Sequence, residues 1–112
     1  MEIDIAGRHF KVTTALRAYV TEKVGKLDKY ALKLEQAHVI LDVQKFLQIV
    51  EIVLHGKNLR VTAKERSTDM YSAFDKCFDT IQLQMSRHHD KVRDHKGRRY
   101  SVPGKPVKKG GR

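Results

Sequence analysis

The segment from residue 69 to residue 91 is the strongest constraint in the sequence, because it predicts one long helix with a single apolar face. Its stripe residues recur at steps of three and four, which places their side chains on one side of a helix. This stripe consists of Met70, Ala73, Phe74, Cys77, Ile81, Met85 and His88. A helix with one apolar face buries that face against another element, and we expect a sheet to cover it.

The same segment carries a second row of side chains beside the apolar stripe, and three of its five members are cations. At about 100° per residue, this row consists of Lys76, Thr80, Leu83, Arg87 and Lys91. The far side of the helix holds Asp75, Asp79, Ser86 and Asp90. Two interpretations stay open for the cationic row, namely contact with phosphate groups and an ordinary solvated helix surface.

The N-terminal part of the chain predicts a strand followed by another amphipathic helix. Residues 1–6 alternate, with Ile3 and Ile5 on one side, which indicates a short strand. Thr13 is predicted as the N-cap of the helix, which should run to about residue 34. The apolar stripe of this helix is Leu16, Val20, Val24, Leu27, Ala31 and Leu34. The lysines expected on its solvent-facing side are Lys26, Lys29 and Lys33.

Three further strands follow without an intervening helix. Apolar and polar residues alternate over 37–44, 49–55 and 59–64, and residues 56–58 provide a turn. The order β-α-β-β-β-α predicts an α+β domain in which two helices pack on one face of a four-stranded mixed sheet. The first crossover should be right-handed, which makes the first two strands parallel if they are adjacent. The outer face of the sheet is expected to stay open, and its apolar members are Ile40, Ile49 and Val53.

The net charge of +10 is concentrated near the C-terminus. Residues 1–92 carry 15 lysines and arginines against 12 aspartates and glutamates, whereas residues 93–112 carry 8 against 1. Residues 96–112 also lack periodicity and hold four glycines and two prolines. We therefore expect a disordered basic tail there and a folded domain over residues 1–95. This charge favours a polyanionic partner, nucleic acid before an anionic membrane.

The sequence argues against several kinds of chemistry. The single cysteine, Cys77, excludes a disulfide framework and is predicted to be a buried apolar residue. His88, His89 and His95 lack metal-ligand spacing, and no phosphate-binding glycine loop is present. We predict no cofactor, no metal and no enzymatic activity, with an RNA-processing enzyme as the least favoured alternative. No signal peptide or apolar run of about 18 residues is present, so we expect no membrane partner.

A binding module is what these exclusions leave, and its candidate surface is cationic. If the two helices lie side by side, the lysines of the first and the cations of the second face the same side of the molecule. Such a patch binds phosphates, and its spacing suits a folded RNA better than readout of bases in a DNA groove. The architecture also resembles the double-stranded-RNA-binding fold, which recognises RNA by shape. A general double-stranded-RNA-binding module is therefore one candidate function.

Two groups of residues form recognisable signatures. The first is Gly7, Val12, Thr13, Ala15, Leu16, Arg17, Val20, Lys23, Lys26, Leu27 and Tyr30. The second is Asp69, Met70, Tyr71, Ala73, Phe74, Asp75, Asp79, Gln84, Asp90 and Lys91. Together they resemble the ribosome hibernation promoting factors, a family related to ribosome-associated inhibitors and sigma-54 modulation proteins. The resemblance implies a bacterial stationary-phase factor that binds the small ribosomal subunit where messenger RNA and the A- and P-site transfer RNAs sit, and that silences translation.

The RNA-binding cations of that family match several positions of this sequence. By resemblance they are Arg17, Lys23, Lys26, Lys29, Arg87 and Lys91. The full set of candidate RNA-binding residues adds Lys33, Lys76, Arg93, Arg98 and Arg99. The sequence departs from the family pattern at Thr80, Leu83 and His89, so we expect the second helix to bind RNA less firmly.

The resemblance also implies partners. The chain resembles the short family members, without the second domain of the long members or the acidic tail of the inhibitor type. This implies the small ribosomal subunit and its ribosomal RNA as partners in the cytoplasm, with a separate small modulation factor needed for ribosome dimers. Off the ribosome we expect a monomer.

Overall fold

The computed structural model of the chain describes residues 1–30 and 33–96, with side chains up to residue 88. In chain order its elements are β1 (Glu2–Arg8), α1 (Thr14–Gly25), a 3-10 helix (Lys26–Tyr30), β2 (Leu34–Gln44), β3 (Leu47–Gly56), β4 (Leu59–Ser67) and α2 (Met70–Lys96). The basic tail predicted for 96–112 lies outside the described residues except for Lys96, and so does Ala31 of the predicted first helix.

The four strands form one sheet in the order β1-β2-β3-β4. Strand β1 runs parallel to β2, whereas β2 with β3 and β3 with β4 are antiparallel pairs. Both helices pack on the same face, because the inward side chains of the strands and of the helices belong to one core cluster. The predicted α+β fold, with two helices on one face of a four-stranded mixed sheet, is confirmed.

The core lies between the sheet and the two helices. Side chains from each layer, among them Leu27, Ile52 and Phe74, are completely buried. Full burial of a side chain of this size contributes about 1.5–3 kcal/mol, so this cluster is the main source of stability. The sequence analysis missed Phe78, which is 5% exposed and stacks on Phe74 with ring centroids 5.7 Å apart.

The first helix is shorter than predicted. Helix α1 ends at Gly25, a poor helix former, and the chain continues as the 3-10 helix. Leu34, predicted for the helical stripe, lies in β2 instead, directly after Lys33 with a φ of 52°. The steps of three and four persisted past the end of α1 because Leu27 of the 3-10 helix also faces the core.

A capping side chain precedes each helix: Thr13, as predicted, before α1 and Asp69 before α2. The Thr13 hydroxyl accepts a hydrogen bond of 3.1 Å from the Leu16 N–H. The Asp69 carboxylate accepts one of 2.9 Å from the Ser72 N–H. Each bond satisfies a first-turn amide that has no partner within its own helix.

The two hairpins have short turns. Strand β3 begins at Leu47, whereas the alternation in the sequence predicted a start at residue 49. The connection between β2 and β3 is therefore only Lys45 and Phe46. Lys45 has a φ of 56°. Asn58, in the turn between β3 and β4, has a φ of 60°, which asparagine tolerates better than most residues.

Candidate nucleic-acid interface

Three lysines, spaced three residues apart in the chain, lie at the end of α1 and on the 3-10 helix. We call Lys23, Lys26 and Lys29 the first cation group. The Lys23 Nζ lies 5.5 Å from the centre of the Tyr19 ring, and the Lys29 Nζ lies 5.3 Å from the centre of the Tyr30 ring. Among the residues that the structure describes, none of the three lysines makes a salt bridge. The cation–π contacts therefore restrict two ammonium groups without neutralising them.

Tyr19, whose ring contacts Lys23, also joins α1 to α2. Its hydroxyl donates a hydrogen bond of 2.7 Å to Asp75, and its ring meets Tyr71 and Phe74 edge-on at centroid distances of 5.0 and 5.8 Å. The bond to Asp75 raises the pKa of Tyr19 to about 12, because a carboxylate acceptor favours the neutral phenol. Asp75, which the sequence placed on the solvated far side of the helix, is a contact between the two helices.

The cations of α2 lie on another flank of that helix. The Lys76 Nζ donates to the Arg66 carbonyl at 3.0 Å. The Gln84 Nε2 donates to the Thr62 carbonyl at 3.1 Å. Residues four apart in an antiparallel strand direct their carbonyls to the same side, and here that side is the outer edge of β4. Arg87 is exposed about three helical turns beyond Lys76, and we call Lys76 and Arg87 the second cation group.

The two cation groups both belong to the helical layer but are not contiguous. Asp75 faces α1 through its bond to Tyr19. At about 100° per residue, the exposed Asp79 falls between that contact and the flank of Lys76. Carboxylates therefore interrupt the two-row patch that the sequence predicted.

Two other predicted cations lie apart from these groups. Arg17 is exposed on α1, but its six-residue separation from Lys23 turns it about 120° around the helix. Lys33 is exposed beside the turn between β3 and β4, where its carbonyl accepts a hydrogen bond of 3.3 Å from the Lys57 N–H. Lys57 is also exposed, and the sequence analysis assigned it only to a turn.

Four predicted RNA-binding residues have no described side chain. Lys91 and Arg93 belong to α2, whose side chains are described up to residue 88. Arg98 and Arg99 lie outside the described residues. Their assignment to RNA binding stays a prediction.

The open face of the sheet carries polar contacts that the sequence did not reveal. The Asp42 carboxylate is 6% exposed and accepts hydrogen bonds from His9 Nδ1 at 2.8 Å and from Gln44 Nε2 at 3.0 Å. The bond from His9 lowers the pKa of Asp42, against the opposing effect of burial. Because His9 lies 33 residues from Asp42 in the chain, no local motif predicts the bond between them.

A shallow groove of about 520 Å³ crosses the same face near the turn between β2 and β3. Its lining includes Arg8, Ile40, Ile49, Lys64 and Arg66. Phe46, in the adjoining turn, is 88% exposed. Phe46 falls between the predicted strands 37–44 and 49–55, and the sequence analysis drew nothing from it because periodicity carries no information about turn residues.

Chemistry other than binding finds no support among the side chains that are described. Within that part of the chain, no group of three or more His, Cys, Asp or Glu residues is placed to hold a metal ion. Cys77 is buried, and its thiol donates to the Ala63 carbonyl at 3.3 Å. Burial raises the pKa of this thiol to about 12, which disfavours the reactive thiolate. No described helix is both long and apolar enough to cross a membrane.

Comparison with known sequences identifies the family. Residues 3–93 match the family described as Sigma 54 modulation protein / S30EA ribosomal protein. The chain belongs to this family. It is 36% identical to the ribosome hibernation promoting factor of Salmonella typhimurium over 95 residues, which cover 85% of this chain and 100% of that protein. The ribosome hibernation promoting factor of Azotobacter vinelandii is 35% identical over 91 residues, covering 81% of this chain and 85% of that protein.

Family membership confirms two predictions. The resemblance to ribosome hibernation promoting factors, drawn from the two signatures, is confirmed by the family match and by these relatives. The prediction that the chain is not an enzyme is confirmed as well, because the family is a non-enzymatic one.

Two solved structures share the fold. The N-terminal domain of Protein Y from Thermus thermophilus is 31% identical and superposes with a TM-score of 0.72, covering 79% of this chain and 99% of that chain. A ribosomal subunit interface protein from Coxiella burnetii superposes with a TM-score of 0.74 at 23% identity, covering 79% of this chain and 97% of that chain. The second likeness concerns the fold alone.

Proposed function

We propose that this protein is a ribosome hibernation factor that binds the ribosomal RNA of the small subunit at the decoding centre. Bound there, it excludes messenger RNA and the A- and P-site transfer RNAs, and so silences translation in stationary phase. The observation that carries the proposal is the first cation group, which makes no salt bridge to any described carboxylate. The relatives named ribosome hibernation promoting factors supply the ribosome as the target.

The proposed binding rests on charge and shape. Lysine ammonium groups that meet phosphates release condensed counterions, and phosphate contacts fix the position of the protein on RNA. The aromatic contacts of Lys23 and Lys29 restrict these side chains before binding, which reduces the entropy lost on contact. A rigid surface without base readout suits a folded RNA recognised by its shape.

The second cation group supplements this surface. Lys76 donates one hydrogen bond to the Arg66 carbonyl, and an ammonium group has three N–H donors, so two stay available for phosphate. Arg87 is exposed on the same helix. Because Asp75 and Asp79 separate the two groups, we infer that each group contacts a different stretch of RNA backbone.

Inhibition in this mechanism results from occupancy. The folded domain fills space that messenger RNA and transfer RNA need, and no bond is made or broken. The protein is proposed to be a monomer off the ribosome, and formation of ribosome dimers would require a separate small modulation factor.

Competition with transfer RNA on the small subunit tests this mechanism. Small subunits carrying fluorescent transfer RNA in the P site are titrated with the protein, and occupancy by each ligand is measured. We expect mutual exclusion, with the apparent affinity of the protein falling as transfer RNA is raised. Stable co-occupancy of one subunit contradicts occlusion. Equal affinity for free duplex RNA and for small subunits would favour a general double-stranded-RNA-binding module.

A further inference from the structure

Phe46 is an aromatic side chain left in water at a tight turn. It is 88% exposed, and the adjacent Leu47 is 37% exposed. A two-residue hairpin turn favours glycine, asparagine or aspartate, and a phenyl ring in solvent forgoes the stabilisation of burial. Neither the turn nor the core therefore explains the residue at this position.

Two arginines stand at the ends of the sheet row next to this turn. In the strand register, Arg8 of β1 pairs with Asp42 of β2. Ile49 of β3 is next in the row, and it pairs with Arg66 of β4. With neighbouring strands about 4.8 Å apart, the Cα atoms of the two arginines are roughly 14 Å apart. Neither guanidinium makes a salt bridge with any described residue.

The carboxylates of the groove leave these arginines available. Asp42 is already engaged by two hydrogen bonds. Glu51 stands opposite Lys64 in the register between β3 and β4, and Glu65 is half-buried. This end of the open face therefore offers two guanidinium groups that pair with no described carboxylate, and the exposed Phe46 ring lies in the adjoining turn.

We propose that this end of the open sheet face binds a single-stranded segment of RNA, with an unpaired base stacked on Phe46 and neighbouring phosphates bound by Arg8 and Arg66. Aromatic stacking and cations that follow the backbone are the two elements of single-strand recognition. The inference rests on the proposed function, from which RNA is taken as the partner, and it adds an RNA surface on the side of the sheet away from the helices. A protein partner would instead use the ring as an apolar anchor.

Fluorescence anisotropy with a labelled octauridylate tests this surface on the full chain. Phe46→Ala should weaken binding about ten-fold, a loss within the range for one stacked base. Phe46→Trp should bind at least as tightly as the unsubstituted chain. Phe46→Leu keeps much of the apolar area but has no π face, so it should lose as much as Phe46→Ala. Unchanged affinity of Phe46→Ala overturns the proposal, and full octauridylate binding by Phe46→Leu overturns it as well, because an apolar contact without a π face would then be sufficient.

Arginine substitutions on one strand provide a matched charge control. Arg66→Ala should weaken octauridylate binding and reduce the slope of its salt dependence by about one unit. Arg60→Ala removes the same charge from the same face of β4, at the end of the strand away from Phe46, and should change neither. Equal losses from both substitutions would mean that net charge alone attracts the oligonucleotide, and the proposed site would be wrong.

The helical lysines separate this inference from the proposed function. Lys26→Glu combined with Lys29→Glu should weaken binding to small subunits. The factor by which Phe46→Ala lowers the affinity for octauridylate should be the same in this double variant as in the unsubstituted chain, and we call this factor the ratio. If the double variant binds small subunits normally and the ratio persists, the proposed function fails and the sheet-face site stands. If the double variant loses small-subunit binding and the ratio is one, the sheet-face site alone fails.

Discussion

The Tyr19 hydroxyl donates a hydrogen bond of 2.7 Å to the Asp75 carboxylate, which joins α1 to α2 through a polar contact. The ammonium group of Lys23 lies over the same Tyr19 ring. The orientation of Lys23, one member of the first cation group, therefore depends on how α1 packs against α2. The hydrogen bond between Tyr19 and Asp75 thus influences the geometry of the proposed RNA surface.

Asp75→Asn should lower the pKa of Tyr19 from about 12 toward its ordinary value of 10.0, because no carboxylate then favours the neutral phenol. Since the native pKa lies above the unfolded one, the bond stabilises the fold fully below about pH 10 and loses its effect as the pH rises through about 12. Ultraviolet titration of tyrosinate should therefore show about one additional tyrosine ionised near pH 11 in the variant.

Asp79→Asn is the matched control for that titration. It removes an equal charge one turn further along α2 and leaves the hydrogen bond in place. Its titration curve should stay close to that of the unsubstituted chain. Coincident curves for Asp75→Asn and the unsubstituted chain would show that the bond does not hold Tyr19 in solution.

Lys26→Glu combined with Lys29→Glu should weaken cosedimentation with small subunits about ten-fold or more, because two attractive phosphate contacts become repulsive. Both side chains are exposed, so the melting temperature should change little. Lys11→Glu combined with Arg60→Glu makes the same change in net charge at exposed positions outside both cation groups. Comparable losses from the two double variants would mean that binding depends on net charge and not on the position of the first cation group.

Arg87→Glu combined with Lys91→Glu should also weaken small-subunit binding, but by less. Uncharged Thr80 and Leu83 interrupt this row, and Asp79 lies beside it, so fewer phosphate contacts depend on it. Cosedimentation over a range of salt concentrations would measure the difference. A larger loss here than in the first cation group would make α2 the principal RNA-binding element.

Truncation after Lys96 should make binding less sensitive to salt without moving the protein on the ribosome. The six cations that it removes are Arg98, Arg99, Lys105, Lys108, Lys109 and Arg112. If about half of them contact phosphate, the log–log salt slope becomes shallower by roughly 2–3 units. An unchanged slope would exclude phosphate contacts by this segment. A shifted footprint on ribosomal RNA would show that the segment selects the site.

Asp42→Asn should make the fold less sensitive to acid. The bond from His9 lowers the pKa of Asp42 below its ordinary value of 3.8. The ionised carboxylate of Asp42 therefore stabilises the fold above pH 3.8, and this stabilisation is lost as the pH falls through the native pKa. Urea unfolding at about pH 6 and about pH 3 should show a smaller difference in unfolding free energy for the variant. The exposed Asp28 provides an Asp28→Asn control of equal charge, and an equal reduction there would contradict the assignment.

Local periodicity was sufficient to predict the sheet and both helices, because each strand and helix has one apolar face. It failed at the end of the first helix, where Leu27 and Leu34 both face the core although one lies in a 3-10 helix and the other in a strand. An apolar spacing records which side is buried, and it does not record the backbone conformation that buries it.

The candidate cations could be named from the sequence, but their grouping could not. Core packing decides which flank of α2 meets α1. No pattern in the local sequence therefore predicts that Asp75 and Asp79 separate Lys76 from Lys23. The same holds for Asp75 itself, whose partner lies 56 residues away in the chain. Phe46 was overlooked because turns have no periodicity from which exposure can be inferred.

The side chains of Lys76 and Gln84, bonded to carbonyls on the outer edge of β4, have a consequence for the protein at high concentration. An uncovered edge strand is a template on which another chain can add a strand and begin an aggregate. Here α2 occupies two of the acceptors that such an intruding strand would need. The folded domain is thereby protected, even at high concentration, from polymerisation of the sheet through β4.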